Sequence, residues 1–177
     1  MHCIQYVAVR AEDKDSALAK VRDYLETAMG PEDTYASWYD WFVTGGGRWS
    51  SDPDSYQDTS VDVAALGEPK FDEYVEKAKA YKESEYKEII EYAKKQVVDL
   101  NAMLDEIQTK AVGLEPLFEF SMRLYPLSQL YKMTGGDWGH FSYFYDVEHQ
   151  ATHPEYMVKS YQSGDSDWFI VPVDFHF

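Results

Sequence analysis

Apolar residues recur at alternating steps of four and three through residues 70–111, and no other feature of the chain constrains its fold as much. The stripe consists of Tyr86, Ile90, Ala93, Val97, Leu100, Leu104, Ile107 and Ala111. Steps of this size place side chains along one side of an α-helix. A continuous helix of this length would measure about 60 Å at 1.5 Å per residue, so its apolar side needs a partner that covers it.

A second helical pattern, over about residues 116–132, provides that partner. Its apolar positions are Leu117, Phe120, Leu124, Leu127 and Tyr131. Between the two patterns stand Gly113 and Pro116, residue types that end one helix and begin the next. The sequence therefore predicts a helical hairpin, in which residues 70–111 form either one helix or two helices with a bend near Ser84.

The segments on either side of this hairpin have the patterns of a sheet. Residues 2–10 are predicted to form a central strand, and Asp13 or Asp15 begins a helix that runs to about Met29. Further strands are predicted at about residues 36–44, 141–146, 156–161 and 168–176. Pro172 lacks an N–H group, which predicts that the last strand is unpaired or bulged along one edge at that point.

This order of elements predicts an α+β protein with a mainly antiparallel sheet. We expect a ferredoxin-like core with a long helical hairpin insertion. Residues 1–60 and 136–177 would form the α+β sheet core, and residues 61–135 the helical insertion, packed on the core or projecting from it.

Charge and composition narrow the classes of partner. The net charge of −16 is spread through the chain, and such a surface repels nucleic acid and anionic membranes. No apolar run approaches the length of a membrane helix, and the N-terminus lacks a signal-peptide pattern. The single cysteine, Cys3, excludes an internal disulfide framework and is expected to be a buried, inert thiol. Together these features favour a cytoplasmic protein with no direct nucleic-acid or membrane partner.

Tryptophans and glycines concentrate in one short stretch, residues 38–49. It contains Trp38, Trp41, Gly45, Gly46, Gly47, Arg48 and Trp49. Consecutive glycines let the backbone adopt positive φ and bring N–H groups close to a ligand, and an arginine offers a planar fork of donors to an anion. The aromatic side chains would line a pocket or stack on a ring. The alternative is a tight turn whose aromatics are ordinary core. The spacing matches neither a Walker loop nor a dinucleotide fold, so no cofactor is predicted.

The chain ends in a second candidate site, the pair Asp174 and His176. Two residues apart in a strand, they point to the same face of the sheet, where a carboxylate can orient a histidine that acts as a general base. The alternative is a structural pair. His149 and His153 are four residues apart, but Pro154 disfavours a helix there and no third ligand is evident, so no metal site is predicted.

Two segments together resemble a known family. The box Trp41-Phe42-Val43-Thr44-Gly45-Gly46-Gly47-Arg48-Trp49 resembles the aromatic-aromatic-x-x-G-G-R-W box of small proteins encoded by tailed phages and some bacteria, and Val173-Asp174-Phe175-His176 resembles their V-D-x-H ending. The family has no established activity. This chain departs from it by an extra glycine and by the long helical insertion. The resemblance implies a phage protein that acts in the host cytoplasm on host metabolism or defence.

Three functions are compatible with these features. The first is binding of a small anionic, nucleotide-like ligand by the glycine loop, Arg48 and the tryptophans, with the sequestering of a host immune signal as its purpose. The second is an acidic interaction protein that inhibits a basic host nuclease or polymerase by nucleic-acid mimicry. The third is a small hydrolase that uses Asp174 and His176. The sequence leaves the oligomeric state open, a homo-oligomer included.

Overall fold

The computed structural model describes residues 2–28, 38–45, 62–96, 102, 105, 121–122, 124–125, 127–131, 138–139 and 142–177. The helices and strands among them are, in chain order, β1 (His2–Arg10), α1 (Lys14–Ala28), β2 (Trp41–Thr44), β3 (Ala64–Ala65), α2 (Pro69–Gln96), β4 (Phe144–Asp146), α3 (Glu155–Gln162) and β5 (Trp168–His176).

One mixed sheet of five strands organises these elements. Its order is β2-β5-β1-β4, and β3 pairs with β5 on the same side as β2. Strands β1 and β5 are antiparallel over their whole length, from His2 opposite His176 to Arg10 opposite Trp168. Strand β4 runs parallel to β1. The prediction of an α+β protein is confirmed, but the sheet is mixed and not antiparallel throughout.

Strands β1 and β2 form a split β-α-β unit. Both are antiparallel to β5, so they run parallel to each other with β5 between them. Helix α1 connects them and covers one face of the sheet. Its buried residues Ala17, Val21 and Leu25 are four apart, which is the spacing of one helical face. The Oδ1 atom of Asp13 accepts a hydrogen bond from the N–H of Ser16 at 2.7 Å and so caps the helix, as predicted.

The first half of α2 and α3 cover the opposite face of the sheet. Their buried side chains pack with the alternate residues of β1 and β5. The resulting core consists of Tyr6, Ala8, Ala64, Phe71, Tyr74, Val75, Ala78, Phe144, Met157, Trp168 and Ile170. Because the side chains of a strand alternate between faces, β1 and β5 are buried on both sides and explain the apolar character of both segments.

Pro172 lies at an interruption of the sheet edge, as its lack of an N–H group predicts. The β2 ladder ends where Thr44 lies opposite Val173, and the β3 ladder begins where Ala64 lies opposite Ile170. Between the two ladders, the carbonyl of Pro172 accepts a hydrogen bond from the N–H of Gly45 at 2.8 Å. The proline therefore stands where no ladder needs its N–H.

The prediction of a strand over residues 156–161 is wrong, because these residues belong to α3. Met157 is fully buried while Val158 and Tyr161 are half-buried, a spacing of one and four that fits a helical face. Over six residues, such a pattern also resembles strand alternation.

Two other predicted strands are shorter than expected. The strand predicted over residues 36–44 begins at Trp41, and β4 begins at Phe144, directly after a positive φ of 57° at Tyr143.

The chain divides into two compact units within α2. One comprises Met1–Lys82 with Trp138–Phe177, and the other comprises Glu83–Asp137. The first half of α2 thus belongs with the sheet, whereas the sequence places the whole of residues 61–135 in the insertion. None of the described helices is both long enough and apolar enough to cross a membrane.

In the second unit, the described residues are helical as far as Gln96, at 102 and 105, and at the described positions between 121 and 131. Helix α2 continues through Ser84 without a break. Ala93 is buried as the stripe predicts, but Tyr86 is 39% exposed and Ile89 is more buried than Ile90. The remaining stripe positions and Leu117 and Phe120 lie outside the described residues, so the hairpin contact stays a prediction.

Candidate functional site

Three aromatic rings meet at one end of the sheet, on the face that α2 and α3 cover farther along. His176 on β5 lies between Trp41 on β2 and His2 on β1 in the register of the strands. The indole of Trp41 stacks on the imidazole of His176, with centroids 5.2 Å apart and planes 4° apart. His2 meets both rings edge-on, at 4.9 Å from His176 and 5.1 Å from Trp41. The pairing of three strands thus builds an aromatic cluster from residues 2, 41 and 176.

Each histidine of this cluster is held by a carboxylate. Nδ1 of His2 lies 3.2 Å from Oδ1 of Asp174, and Nδ1 of His176 lies 3.0 Å from Oδ2 of Asp40. The two carboxylates differ in their environment, because the side chain of Asp174 is 1% exposed and that of Asp40 is 65% exposed. A hydrogen bond at Nδ1 fixes the orientation of an imidazole, so both rings are positioned with Nε2 as the nitrogen turned away from the carboxylate.

One of the two carboxylate oxygens of Asp174 has no hydrogen-bond donor among the described residues. That oxygen is Oδ2, which is buried. Another buried aspartate shows the contrast. Asp146 accepts hydrogen bonds from the N–H groups of Glu148 and His149 and contacts Nδ1 of His149 at 2.7 Å. Buried carboxylates normally have such partners, so the environment of Asp174 differs from that of Asp146.

The structure brings together three of the residues that the sequence singled out, Trp41, Asp174 and His176. Asp174 and His176 lie on the same face of β5, as predicted, but their hydrogen-bond partners are His2 and Asp40. Sequence reasoning missed both partners. The signal that would reveal His2 is the antiparallel register of the first and last strands, which no local pattern contains.

The glycine loop begins at the opposite end of β2 from Trp41. Gly45 has a φ of 74°, which favours glycine, and its N–H is bonded to the carbonyl of Pro172. This N–H therefore belongs to the sheet and does not serve an anion. Gly46, Gly47, Arg48 and Trp49 lie outside the described residues, so their role as ligands stays a prediction.

Trp38 packs on the α1 face of the sheet, away from the face that carries Asp174 and His176. Its ring lies 4.8 Å from that of Phe175 and 6.0 Å from that of Trp138. Trp38 therefore belongs to the aromatic packing of the α1 face, which was the alternative reading for the tryptophans of this stretch.

The environment of Cys3 disfavours the thiolate, which is the nucleophilic form of the side chain. Burial raises the pKa of its thiol to about 12; a hydrogen bond to Gln5 opposes this shift, and the nearby charge of Asp174 adds to it. At neutral pH the thiol is protonated, and the thiolate is the reactive form. The expectation of an inert thiol agrees with this environment.

The two histidines near residue 150 occupy separate environments. His149 is stacked between Tyr156 and Trp168, whereas both ring nitrogens of His153 lie within 3.5 Å of Lys82 Nζ. Within the described part of the chain, no group of three histidine, cysteine, aspartate or glutamate side chains is arranged to hold a metal ion.

An open groove of about 970 Å³ lies beside the start of α1, on the opposite side of β5 from Asp174. Its cations are already paired, Arg10 with Asp167 at 2.9 Å and Lys20 with Glu148 at 3.1 Å. The groove therefore has no uncompensated positive charge among its described residues, and it is a poorer site for an anion than its size suggests.

Comparisons of the chain with protein-family models, with curated proteins and with solved structures found no match.

Proposed function

We propose that the protein binds a small anionic, nucleotide-like ligand at the sheet end formed by His2, Trp41 and His176. The planar ring of the ligand lies against Trp41, and its anionic group is held by the loop that contains Gly46, Gly47 and Arg48. The observation that carries the proposal is the convergence of an indole and two carboxylate-held imidazoles at the start of the strand that leads into this loop.

The geometry of β2 supports a ligand with two chemically different ends. Strand residues rise by about 3.3 Å each, so the backbones of Trp41 and Gly45 are separated by about 13 Å. Trp41 is half-buried, which suits an aromatic side chain that packs on the protein and on a ligand at once. A nucleotide carries an aromatic base and an anionic phosphate, the two kinds of group that Trp41 and the glycine and arginine residues after β2 would bind.

The phage resemblance supplies a context for this binding. A phage protein that holds a nucleotide-like molecule would remove a host immune signal from solution, without the need for catalysis. We further propose a ferredoxin-like relationship for the core, supported by the split β-α-β unit of β1, α1 and β2. The parallel pairing of β1 with β4 departs from a wholly antiparallel sheet.

Nucleic-acid mimicry is the weaker proposal. A mimic presents unpaired carboxylates in a regular array, but several exposed carboxylates of α2 are paired with lysines on the same helix. The pairs are Glu73 with Lys77, Glu76 with Lys79, Glu83 with Lys87 and Glu91 with Lys94. Such pairs neutralise the local field and are typical of a solvated helix surface. Hydrolysis is weaker too, because no described nucleophile accompanies the histidines.

The experiment titrates the purified protein with each nucleoside 5′-monophosphate and measures the binding by calorimetry. We expect at least one to bind and Trp41→Ala to weaken its binding by about 1–3 kcal/mol, the contribution of base stacking on an aromatic side chain. Tyr92→Ala, which removes an exposed aromatic ring on α2, is the matched control and should bind like the wild type. The proposal fails if no nucleotide binds, or if the two variants lose affinity equally.

A further inference from the structure

Lys82 on α2 differs from most lysines of the chain in its partners. Most of the described lysines form an ion pair with a carboxylate, at N–O distances of 2.6–3.4 Å. They are Lys14, Lys20, Lys70, Lys77, Lys79, Lys87 and Lys94. Lys82 has no ion-pair partner among the described residues, although the chain has a net charge of −16. Its Nζ atom instead lies 3.3 Å from the carbonyl oxygen of Thr152 and beside the ring of His153.

The imidazole of His153 provides a proton acceptor next to this amine. Nζ of Lys82 lies 3.3 Å from Nε2 and 3.5 Å from Nδ1 of the ring. A neutral imidazole has one N–H group and one acceptor nitrogen, so either tautomer places its acceptor within 3.5 Å of Nζ. Burial, and then the charge of Lys82, lower the pKa of His153 below its ordinary value of 6.5. At neutral pH the ring is therefore neutral and able to take up a proton from the amine.

Burial also favours the neutral, nucleophilic form of Lys82. It lowers the pKa of the ammonium below its ordinary value of 10.5, and the charge of Glu155 opposes this shift. A lysine whose pKa is lowered by desolvation is the kind that attacks carbonyl carbons and forms imines. Lys82 is half-buried and His153 is exposed, which leaves the pair open to a small molecule from solvent.

The charge of the protein selects among carbonyl compounds. A net charge of −16 repels anionic ones such as keto acids and phosphorylated sugars, and Glu155 adds to this repulsion at Lys82. A small neutral aldehyde meets no such repulsion. It also needs no enclosed pocket, because the reaction requires contact only with Nζ and with the neighbouring ring.

We propose that Lys82 is a covalent binding site for small neutral aldehydes, which it holds as an imine, and that His153 transfers the protons. The ammonium first gives up one proton to solvent, and Nζ then bonds to the carbonyl carbon. His153 takes up the protons that the nitrogen loses and returns them to the carbonyl oxygen. The C–O bond breaks and the C=N bond forms, so the two amine hydrogens leave with the oxygen as water. No oxidant takes part, and the inference is independent of nucleotide binding.

The test labels the intact protein with propionaldehyde at neutral pH in the presence of cyanoborohydride, which reduces each imine to a stable secondary amine. Peptide mass spectrometry gives the initial rate at each lysine. Lys159 is the internal reference, because it is exposed and also has no ion-pair partner among the described residues. We expect Lys82 to react several-fold faster than Lys159. A rate at Lys82 equal to or below that at Lys159 overturns the proposal.

Two variants test the roles of the neighbouring side chains. His153→Gln keeps a polar side chain but removes the proton acceptor, so labelling should slow several-fold at Lys82 and stay unchanged at Lys159. Glu155→Gln removes the charge that favours the ammonium, so labelling at Lys82 should become faster. Circular dichroism confirms that each variant is folded. A folded His153→Gln protein that labels Lys82 at the wild-type rate, or a Glu155→Gln protein that labels it more slowly, contradicts the proposal.

Discussion

His2 and Asp174 are 172 residues apart in the chain, yet Nδ1 of the histidine lies 3.2 Å from Oδ1 of the aspartate. The contact exists because β1 and β5, the first and last strands, pair over their whole length. It joins a half-buried imidazole to a buried carboxylate at the centre of the candidate site. The candidate site is therefore built from the first and last described strands together with β2, which carries Trp41.

The incomplete bonding of Asp174 predicts an unusual effect on stability. Asp174→Val replaces a buried carboxylate, flanked by Ile4 and Val43, with an apolar side chain suited to a strand. We expect the melting temperature to be no lower than that of the wild type, because an unsatisfied acceptor has been removed. The measurement is thermal unfolding followed by circular dichroism.

The matched control is Asp146→Val, at the other buried aspartate of the sheet. It removes the acceptor of the bonds from Glu148 and His149 and should destabilise the protein by about 3 kcal/mol or more. An equal loss of stability in both variants would show that Asp174 is a structural residue like Asp146.

The backbone at Gly45 predicts a cost for any side chain there. Its φ of 74° disfavours residues that carry a Cβ atom, so Gly45→Ala should lower the free energy of unfolding by about 1–2 kcal/mol. Gly139→Ala is the control, because a Cβ atom at Gly139 meets nothing within 4 Å. Urea unfolding measures both. Equal stability of the two variants would contradict the left-handed turn at the start of the glycine loop.

The environment of His153 predicts a shifted titration. Burial, and then the positive charge of Lys82, lower the pKa of His153 below its ordinary value of 6.5, although Glu155 opposes the shift. Lys82→Gln should therefore raise this pKa, as measured by NMR titration of the imidazole protons. An unchanged pKa in the variant would show that the ammonium does not act on the ring.

The same shift predicts how stability depends on pH. The folded protein binds a proton at His153 less readily than the unfolded chain does. The stability that this difference gives the folded state is therefore fully present above pH 6.5. It is lost as the pH falls through the lower pKa of the folded state. Across this acidic range, the free energy of unfolding of the His153→Gln variant should change less with pH than that of the wild type, as measured by urea unfolding at each pH.

Substitutions on the surface of α2 distinguish nucleotide binding from nucleic-acid mimicry. Replacing Glu83, Glu85, Glu88 and Glu91 by glutamine removes negative charge from the second half of α2. A nucleic-acid mimic would lose binding to a basic partner, and its wild-type binding would weaken steeply with salt. We expect nucleotide binding to survive these changes, and a calorimetric titration of the quadruple variant measures it. Loss of nucleotide binding would place the ligand on this helix instead.

Local patterns were sufficient for the long elements of the fold. Strand β1, helix α1 and strand β5 could be predicted because each has a clear apolar period, and Pro172 predicted a break in the sheet edge from its missing N–H alone. Helix α3 could not be predicted in this way. It has only eight residues, and two apolar residues four apart, Met157 and Tyr161, fit the period of a helix as well as that of a strand. The parallel pairing of β4 depends on the whole topology, which no single segment encodes.

The candidate site was predictable only in part for the same reason. Trp41, Asp174 and His176 stood out by residue type and spacing. His2 and Asp40 did not, because their roles follow from the register of β1 and β2 against β5. Trp38 was wrongly grouped with Trp41 as a candidate ligand residue. The two are close in sequence, but Trp38 packs on the α1 face of the sheet and Trp41 on the opposite face.

The central claim is that a nucleotide binds where His2, Trp41, Asp174 and His176 meet. It is tested most directly by a ¹H–¹⁵N NMR titration of the intact protein with the nucleoside monophosphate that binds best. We predict that the largest shifts occur at the indole N–H of Trp41 and at the backbone amides of His2, Asp174 and His176. Shifts confined to the groove around Arg10 and Lys20, or no shifts at saturating nucleotide, would contradict the claim.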